Sequence, residues 1–572
     1  MTTGTDNSQQ HTNHTSAFSS TGTIANAAHV THRENKPHGL KGSLCNYQDK
    51  ARDLSRRGFL SGVGVLGAAL ASTGLSSLAG CSPASAQAAS KESWLPEKWD
   101  YEADLVAVGG GGGGLAAAIQ GQDEGLEVIV IEMLGVTGGS SAICGGGIGM
   151  CGTPLQEKLG IDDSPEKYLK DVLENSAGPM ANEANIKAHI DTVTEMYDWL
   201  TGLGLVFPEE GLLRSQGNNT IREHHVEGGP GHAMQIIRDA AEAKGAQILL
   251  NTEGTALIQD PATKQILGVV AKQKSKTIYL KARRGVLLAT GSFAANLEML
   301  EQYRYGLGNS KVICSPGNMG GGHKMAMQVG AVLLKAGFNV GVSVGSAKGE
   351  SGADIGGLFV QGAILVNREG KRFIDESVGI NSVGPTLSAQ TGGSAFQLYD
   401  QKFADIFWEN PSNTYCIRKH VEKGLAIKCE TLEDAAREIG CPVDALKETL
   451  EKYNADVTQT GSDSVFGRKF CNAGGGELMA FNQAPYYVFE TVQAMAGMGA
   501  GLWENEQFQV LDQYGVPIPN LYTAGEIVQY TMLGVDTTYW VNKTHCGWGW
   551  CGAMNHARQI AKRLLSVESW DA

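Results

Sequence analysis

The sequence predicts an α/β fold built on a nucleotide-binding strand–helix–strand unit, and three observations predict it. A short apolar run, Ala103 to Ala107, leads into a glycine-rich turn that carries G-x-G-x-x-G at Gly109, Gly111 and Gly114. A helix-like run follows through Gln122. A second apolar run, Val128 to Ile131, ends in Glu132, a little over twenty residues after Gly109. Each part has a task. The glycines, with Gly113 among them, let backbone approach a pyrophosphate, the helix N-terminus offers free N–H groups and a positive dipole end, and the acid takes a ribose hydroxyl. A merely flexible glycine loop gives no reason for Glu132 at that distance.

A second small-residue loop follows closely, Gly138-Gly139-Ser140-Ser141-Ala142-Ile143-Cys144-Gly145-Gly146-Gly147. So near the ribose acid, it lets the backbone follow a cofactor beyond its adenosine half. Downstream stand Val286-Leu287-Leu288-Ala289-Thr290-Gly291-Ser292-Phe293 and Ile518-Pro519-Asn520-Leu521-Tyr522-Thr523-Ala524-Gly525-Glu526. With these segments the chain resembles the flavoprotein family of soluble fumarate reductases and 3-oxosteroid 1-dehydrogenases. That family's FAD domain carries a Gly-Gly-Asn/Ser/Thr loop, an Ala-Thr-Gly-Gly-Phe segment and a Leu-Tyr-Ala-Ala-Gly-Glu segment. The likeness runs over residues 100 to 565 and includes Ile364 to Phe373 and Gly461 to Arg468. It implies a Rossmann-like FAD-binding domain with an inserted α+β capping, or clamp, domain. FAD is the implied cofactor. The implied cofactor-binding set is Gly109, Gly111, Gly113, Gly114, Glu132, Gly138, Gly139, Ser140, Ser141, Gly145, Gly146, Gly254, Thr290, Gly291, Gly525 and Glu526.

The 572 residues suffice for two or three domains. Heavy glycine, 76 residues, with only 19% charged residues suits a loop-rich cofactor protein. A net charge of −14 without a basic stripe argues against a nucleic-acid partner. Residues 1–54 are polar and lack a hydrophobic period, so they read as disordered. Ser55-Arg56-Arg57-Gly58-Phe59-Leu60 reads as a twin-arginine signal. The Gly-broken apolar run from Phe59 to Ala79 reads as a signal core rather than a spanning helix. Leu78-Ala79-Gly80-Cys81 looks like a bacterial lipobox; the alternative is a chance Cys in an Ala-rich segment. Residues 82–99 read as a tether. The expectation is export by the twin-arginine route and lipid anchoring in the cell envelope, with the flavin loaded before export.

Among eleven cysteines there is no C-x-x-C and no C-x-x-C-H, which argues against zinc and attached haem. Cys546 and Cys551 are close in sequence, and buried free thiols are preferred to a disulfide there. His224 and His225 form a pair without metal-ligand company, so no metal is assigned.

The mature chain is expected to divide into residues 100–337 (FAD domain, first part), 338–485 (capping domain) and 486–572 (FAD domain, second part). Helices are expected at 165–175, 183–202, 231–245, 298–303, 321–330, 432–453 and 553–565. Strand-like runs at 255–259, 266–271 and 277–281 are expected to form a small antiparallel insert before 286–289 returns to the main sheet. Tyr486 and Tyr487 are read as domain-junction packing. No haem or second redox domain is present in the pattern, which implies a separate electron partner or diffusible carrier.

The chemistry needs a proton donor beside the flavin and groups that polarise the substrate. In fumarate reductases the resemblance implies an Arg acid fed by a Glu and a second Arg, with His and Arg on the carboxylates. Here those places fall near Ile380, Gly356 and Phe359, in the His-free stretch 491–498, and near Thr544. A buried anion without a cation is costly, so fumarate is a poor substrate for such a pocket. A neutral, larger, partly apolar molecule fits better. Candidates for proton handling are Tyr539, Lys543 and His545, against the alternatives of a packing Tyr, an exposed Lys and a structural His. Trp548 and Trp550 are read as pocket wall or core. The reading is reduction of an activated C=C bond of a small molecule. The rivals are 3-oxosteroid-type 1,2-dehydrogenation and a flavin protein that only relays electrons, against which a clamp domain speaks.

Overall fold

The computed structural model describes residues 94–571 except 175–181, 215–219, 304–309, 335–341, 350–356, 379, 411–414, 472–475, 496, 498–499 and 529–547. The expected signal, Cys81 and most of the tether lie outside the described residues.

The expected unit forms as β1 (Tyr101–Val108), α1 (Gly112–Asp123) and β2 (Val128–Ile131). β1 and β2 run parallel, Leu105 opposite Val128 through Val108 opposite Ile131. The strands are almost wholly buried, as a parallel sheet covered on both faces requires. The sheet extends in the order 509–511, 517–523, 276–288, β1, β2, 247–249. Only its 509–511 edge strand is antiparallel to its neighbour along that path. The expected antiparallel insert is present as 252–259, 266–273 and 276–288. Its last strand does not stop at 281. It continues for 13 residues through Leu288, so insert and main sheet share one strand.

Helix α1 is built mostly of small and apolar residues, and every residue from Gly112 to Gly121 is buried. It packs on the C-terminal helix, Trp548–Leu564, which starts five residues before the expected 553. Small residues permit this. A Cβ on Gly113 would lie 3.2 Å from the Ala553 carbonyl oxygen, and one on Gly121 would lie 2.6 Å from Val128 Cγ2.

A second sheet has the order 311–312, 486–495, 394–400, 364–366, with 342–346 and 426–429 also paired to 486–495. Strand 486–495, placed with the FAD domain from sequence, is thus the centre of the capping sheet. Tyr487 stacks on Tyr399 at 5.5 Å, within the sheet's own core. The helix expected over 432–453 is two helices, Leu432–Ile439 and Val443–Thr460. Gly440 takes a left-handed φ of 76° and Pro442 follows, which stops the first helix and starts the second.

Two recognisable segments of the insert meet in a buried ion cluster. Arg372 lies 2.6 Å from Glu376 and 2.9 Å from Asp463, and Arg468 lies 3.2 Å from Glu376. Arg468 also donates to the carbonyls of Ala363 and Phe359. Desolvation disfavours the Glu376 charge, but the two guanidiniums win and hold its carboxyl below the ordinary range.

Glu504 is the opposite case. It is buried, with the Thr523 hydroxyl donating to Oε2 at 2.9 Å, and burial pushes its carboxyl up to about 8. The stability tied to its proton is therefore complete below about 4.5 and is lost as pH rises through 8. Glu504→Gln needs no such proton. Its stability relative to wild type is expected to grow from pH 5 to pH 8 by about 1.4 kcal/mol per unit at most, then level off. Thermal melts at several pH values check this; a gap independent of pH contradicts it.

Candidate FAD site and active-site cleft

The first glycine turn is a place where no side chain fits. Gly109 has φ of 113°, and a Cβ there would lie 2.3 Å from the Ala289 carbonyl oxygen. A Cβ on Gly114 would lie 1.9 Å from the Gly109 carbonyl oxygen. Gly111 differs, since a Cβ there would meet nothing nearer than 3.8 Å. Its open side faces the mouth of the turn. The helix that starts beyond it has no side-chain cap and no acid in its first turn, so its positive end is left for an anion.

Glu132 closes the unit from the end of β2. Its Oε2 accepts the Gly110 N–H at 2.7 Å and its Oε1 accepts the Leu134 N–H at 2.8 Å. Desolvation raises its carboxyl above the ordinary range, and these backbone donors oppose the rise. Backbone donors thus hold both oxygens in place.

The second loop is tied to the first. Gly138 donates to the Gly110 carbonyl at 2.8 Å, and the Gly112 N–H donates to Ser141 Oγ at 3.1 Å. Ser141 thereby shares the helix N-terminus. Ser140 Oγ accepts the Ser315 N–H at 3.1 Å and Asn318 Nδ2 at 3.2 Å, and Asn318 also donates to Ser292 Oγ. Asn318 therefore fastens the second loop to the Ala289–Ser292 turn. The sequence reading missed it, and only its nearness to the Gly320–Gly322 run hinted at a role. Gly139, Gly145, Gly146 and Gly291 lie along the same trough, where residues 141–145, 289–291 and 526 keep partial exposure. Thr290 Oγ1 is buried without a hydrogen-bond partner.

Glu526 reaches the same place. Burial pushes the thiols of Cys144 and Cys314 up to about 12, and the Glu526 carboxylate adds to both. Gly525 has φ of 85°, and a Cβ there would meet Ala553 Cβ at 2.9 Å, so it seats the turn against the C-terminal helix. Gly254 is placed differently from the expectation. A Cβ there would meet Val108 Cγ1 at 2.9 Å and Ile131 Cδ1 at 3.5 Å, so its small size serves sheet packing.

An open-sided glycine turn, an uncapped helix start and an anchored ribose acid fit a dinucleotide. The tied second loop extends the trough beyond the adenosine half, as a flavin needs. Among the described residues no group of three His, Cys, Asp or Glu could hold a metal ion. His224 is structural, with Nε2 2.9 Å from Thr153 Oγ1 and Nδ1 2.9 Å from the Arg222 carbonyl.

The model of the FAD binding domain family matches residues 104–539. The chain belongs to that family. FAD is its cofactor, and the chain is an FAD-dependent oxidoreductase. It is similar to the fumarate reductase (cytochrome) of Shewanella frigidimarina, 29% identical over 433 residues, covering 74% of this chain and 72% of that protein. It is similar to the digoxin reductase of Eggerthella lenta, 27% identical, covering 91% of this chain and 98% of that protein. Among solved structures, the 3-ketosteroid-Δ4-(5α)-dehydrogenase from Rhodococcus jostii RHA1, in complex with 4-androstene-3,17-dione, superposes with a TM-score of 0.61. It is 26% identical and covers 82% of this chain and 98% of that one.

Tyr539, Lys543, His545 and Cys546 lie outside the described residues. Cys551 is a buried free thiol, and Trp550 is buried against Gly112. Of the positions where the resemblance puts charged groups, Phe359 is buried core and Ile380 opens helix Ile380–Ser388.

Glu132→Gln keeps the size of the side chain but replaces one acceptor oxygen with a donor. The FAD dissociation constant is expected to rise about tenfold to a hundredfold, the cost of a charge-assisted hydrogen bond. Fluorescence titration of apoprotein with FAD measures it; an unchanged constant removes Glu132 from the site.

Proposed function

We propose that the protein is an FAD-dependent reductase of an activated C=C bond in a neutral or weakly charged small molecule. The observation that carries this reading is how the buried arginines are used. Among the described residues, Arg222 is paired with Asp163 and Asp171, and Arg372 and Arg468 are paired with Glu376 and Asp463. Arg558 donates to Gln120 and lies 3.7 Å from Glu195. None of these is left to meet a substrate carboxylate. The groups at the trough are instead acidic or neutral: Glu526, Cys144 and Thr290. Among the described residues these arginines offer a dicarboxylate no partner for its charge, and an unpaired buried carboxylate costs several kcal/mol.

Bound FAD supplies hydride transfer at N5. The chain's own residues hold its ends, exclude water and protonate the other carbon. The relatives named as reductases of fumarate and of digoxin support reduction of a small molecule. The second reading is the reverse chemistry, dehydrogenation of a ketosteroid-like ketone, and the Rhodococcus jostii neighbour favours it. The electron partner decides the direction. We further propose a separate electron donor, export by the twin-arginine signal at Arg56-Arg57 and lipid anchoring at Cys81.

Anaerobic reduction of the FAD-loaded protein, followed by a panel of fumarate, urocanate, cinnamate-type acids and neutral enones, tests the reading. Rapid reoxidation of the flavin by neutral enones, with acids slower by at least about a hundredfold, is expected. Equal or faster reoxidation by fumarate contradicts the neutral-substrate reading. No reoxidation by any acceptor leaves the dehydrogenase reading in its place.

A further inference from the structure

The trough ends against a small polar cluster drawn from two parts of the chain. Strand Glu223–His225 pairs antiparallel with Gly147–Gly149, His225 opposite Gly147. His225 Nε2 lies 3.0 Å from Glu223 Oε1, which fixes the ring. Its Nδ1 is buried without a hydrogen-bond partner and would lie 3.8 Å from a Cβ on Gly146. From the insert comes Tyr415, whose ring centroid is 6.2 Å from that of His225. Gln361, 3% exposed at the end of helix Leu358–Gln361, hydrogen-bonds the Tyr415 side chain. Tyr415 itself keeps part of its surface accessible.

Glu132 fixes the adenosine end of the trough, which leaves the Gly145–Gly147 end for the flavin ring. Tyr415, supplied by the insert, stands against His225 beside Gly146 at that end. We propose that Tyr415 is the proton donor of the cleft, with Gln361 holding its oxygen and the Glu223–His225 pair returning its proton. This rests on the C=C reductase reading. Saturating a C=C bond puts a hydride, with its electron pair, on one carbon and a proton on the other. The Tyr415 O–H bond breaks as the second C–H bond forms. The phenolate left behind is held by the Gln361 amide, then takes back a proton that Glu223 and His225 pass in from water.

The setting suits the task. Burial first, and the Glu223 carboxylate second, push the phenol well above its ordinary range, and the Gln361 amide opposes them. The donor therefore stays protonated until a strongly basic carbon develops beside it. As a neutral acid it adds no charge to a cleft whose arginines are occupied elsewhere.

The test uses the full FAD-loaded chain, reduced anaerobically with dithionite and mixed with 2-cyclohexen-1-one or 4-androstene-3,17-dione. Tyr415→Phe is expected to slow reoxidation at saturating enone at least about a hundredfold, the usual weight of a proton donor. FAD content, the oxidised flavin spectrum, reoxidation by ferricyanide and the enone dissociation constant from the visible difference spectrum are expected to stay within about threefold. Wild-type reoxidation is expected to slow about twofold or more in D2O. Gln361→Leu, which keeps Tyr415, is expected to lose about tenfold in the same rate. Tyr415→Phe at the wild-type rate overturns the proposal and leaves the reductase reading standing. If neither enone reoxidises the wild type, the reductase reading falls and the proposal with it.

Discussion

A pyrophosphate can be held by bare backbone only where no side chain stands in the way, and the structure is arranged around that constraint. Gly109 presses on the Ala289 carbonyl and Gly114 on the Gly109 carbonyl at distances that exclude even a methyl group. The consequence spreads outward. A helix that starts this tightly is made of Gly and Ala, so it lies close to β2 and to the C-terminal helix Trp548–Leu564. The Gly112 N–H then meets Ser141, and Ser140 meets Asn318, so the second loop, the Ala289–Ser292 turn and the first turn become one cradle. Residues from more than four hundred positions apart are brought to a single trough by one requirement for smallness.

Charge is handled as strictly as size. The capping body buries two arginines, and both are consumed by Glu376, Asp463 and backbone carbonyls. They hold Leu358–Gln361, the strand 364–366 and the 463–468 turn together. The same cluster therefore holds the helix that ends in Gln361, whose side chain hydrogen-bonds Tyr415. A cation committed to architecture is not available for an anion, and the proposed preference for a neutral substrate rests on where these described arginines are spent.

Much of this was legible in the sequence because it is local. The β1 turn, α1, β2 and Glu132 are set by glycine spacing, apolar runs and one acid, and each formed where the pattern put it. What was not legible depends on distant partners. Strand 486–495 reads as the start of a returning domain, yet its register partners at 394–400 and 426–429 make it the centre of the other sheet. The helix over 432–453 has a continuous apolar pattern, and only Gly440 and Pro442 break it. Gly254 looked like a cofactor glycine, but its neighbours are Val108, Met325 and Ile131. Tyr415 carries no local signal, since its proposed role rests on a ring nearly two hundred residues away.

The most direct measurement of the central claim is a pair of dissociation constants on the oxidised, FAD-loaded protein. The visible difference spectrum of the flavin is titrated with 4-androstene-3,17-dione and, separately, with fumarate. If the commitment of the described buried arginines sets the preference, the neutral enone binds saturably and fumarate binds more weakly by at least about a hundredfold, the cost of an unpaired anion. Fumarate binding as tight as the enone would show that a cation does face the cleft and would contradict the account.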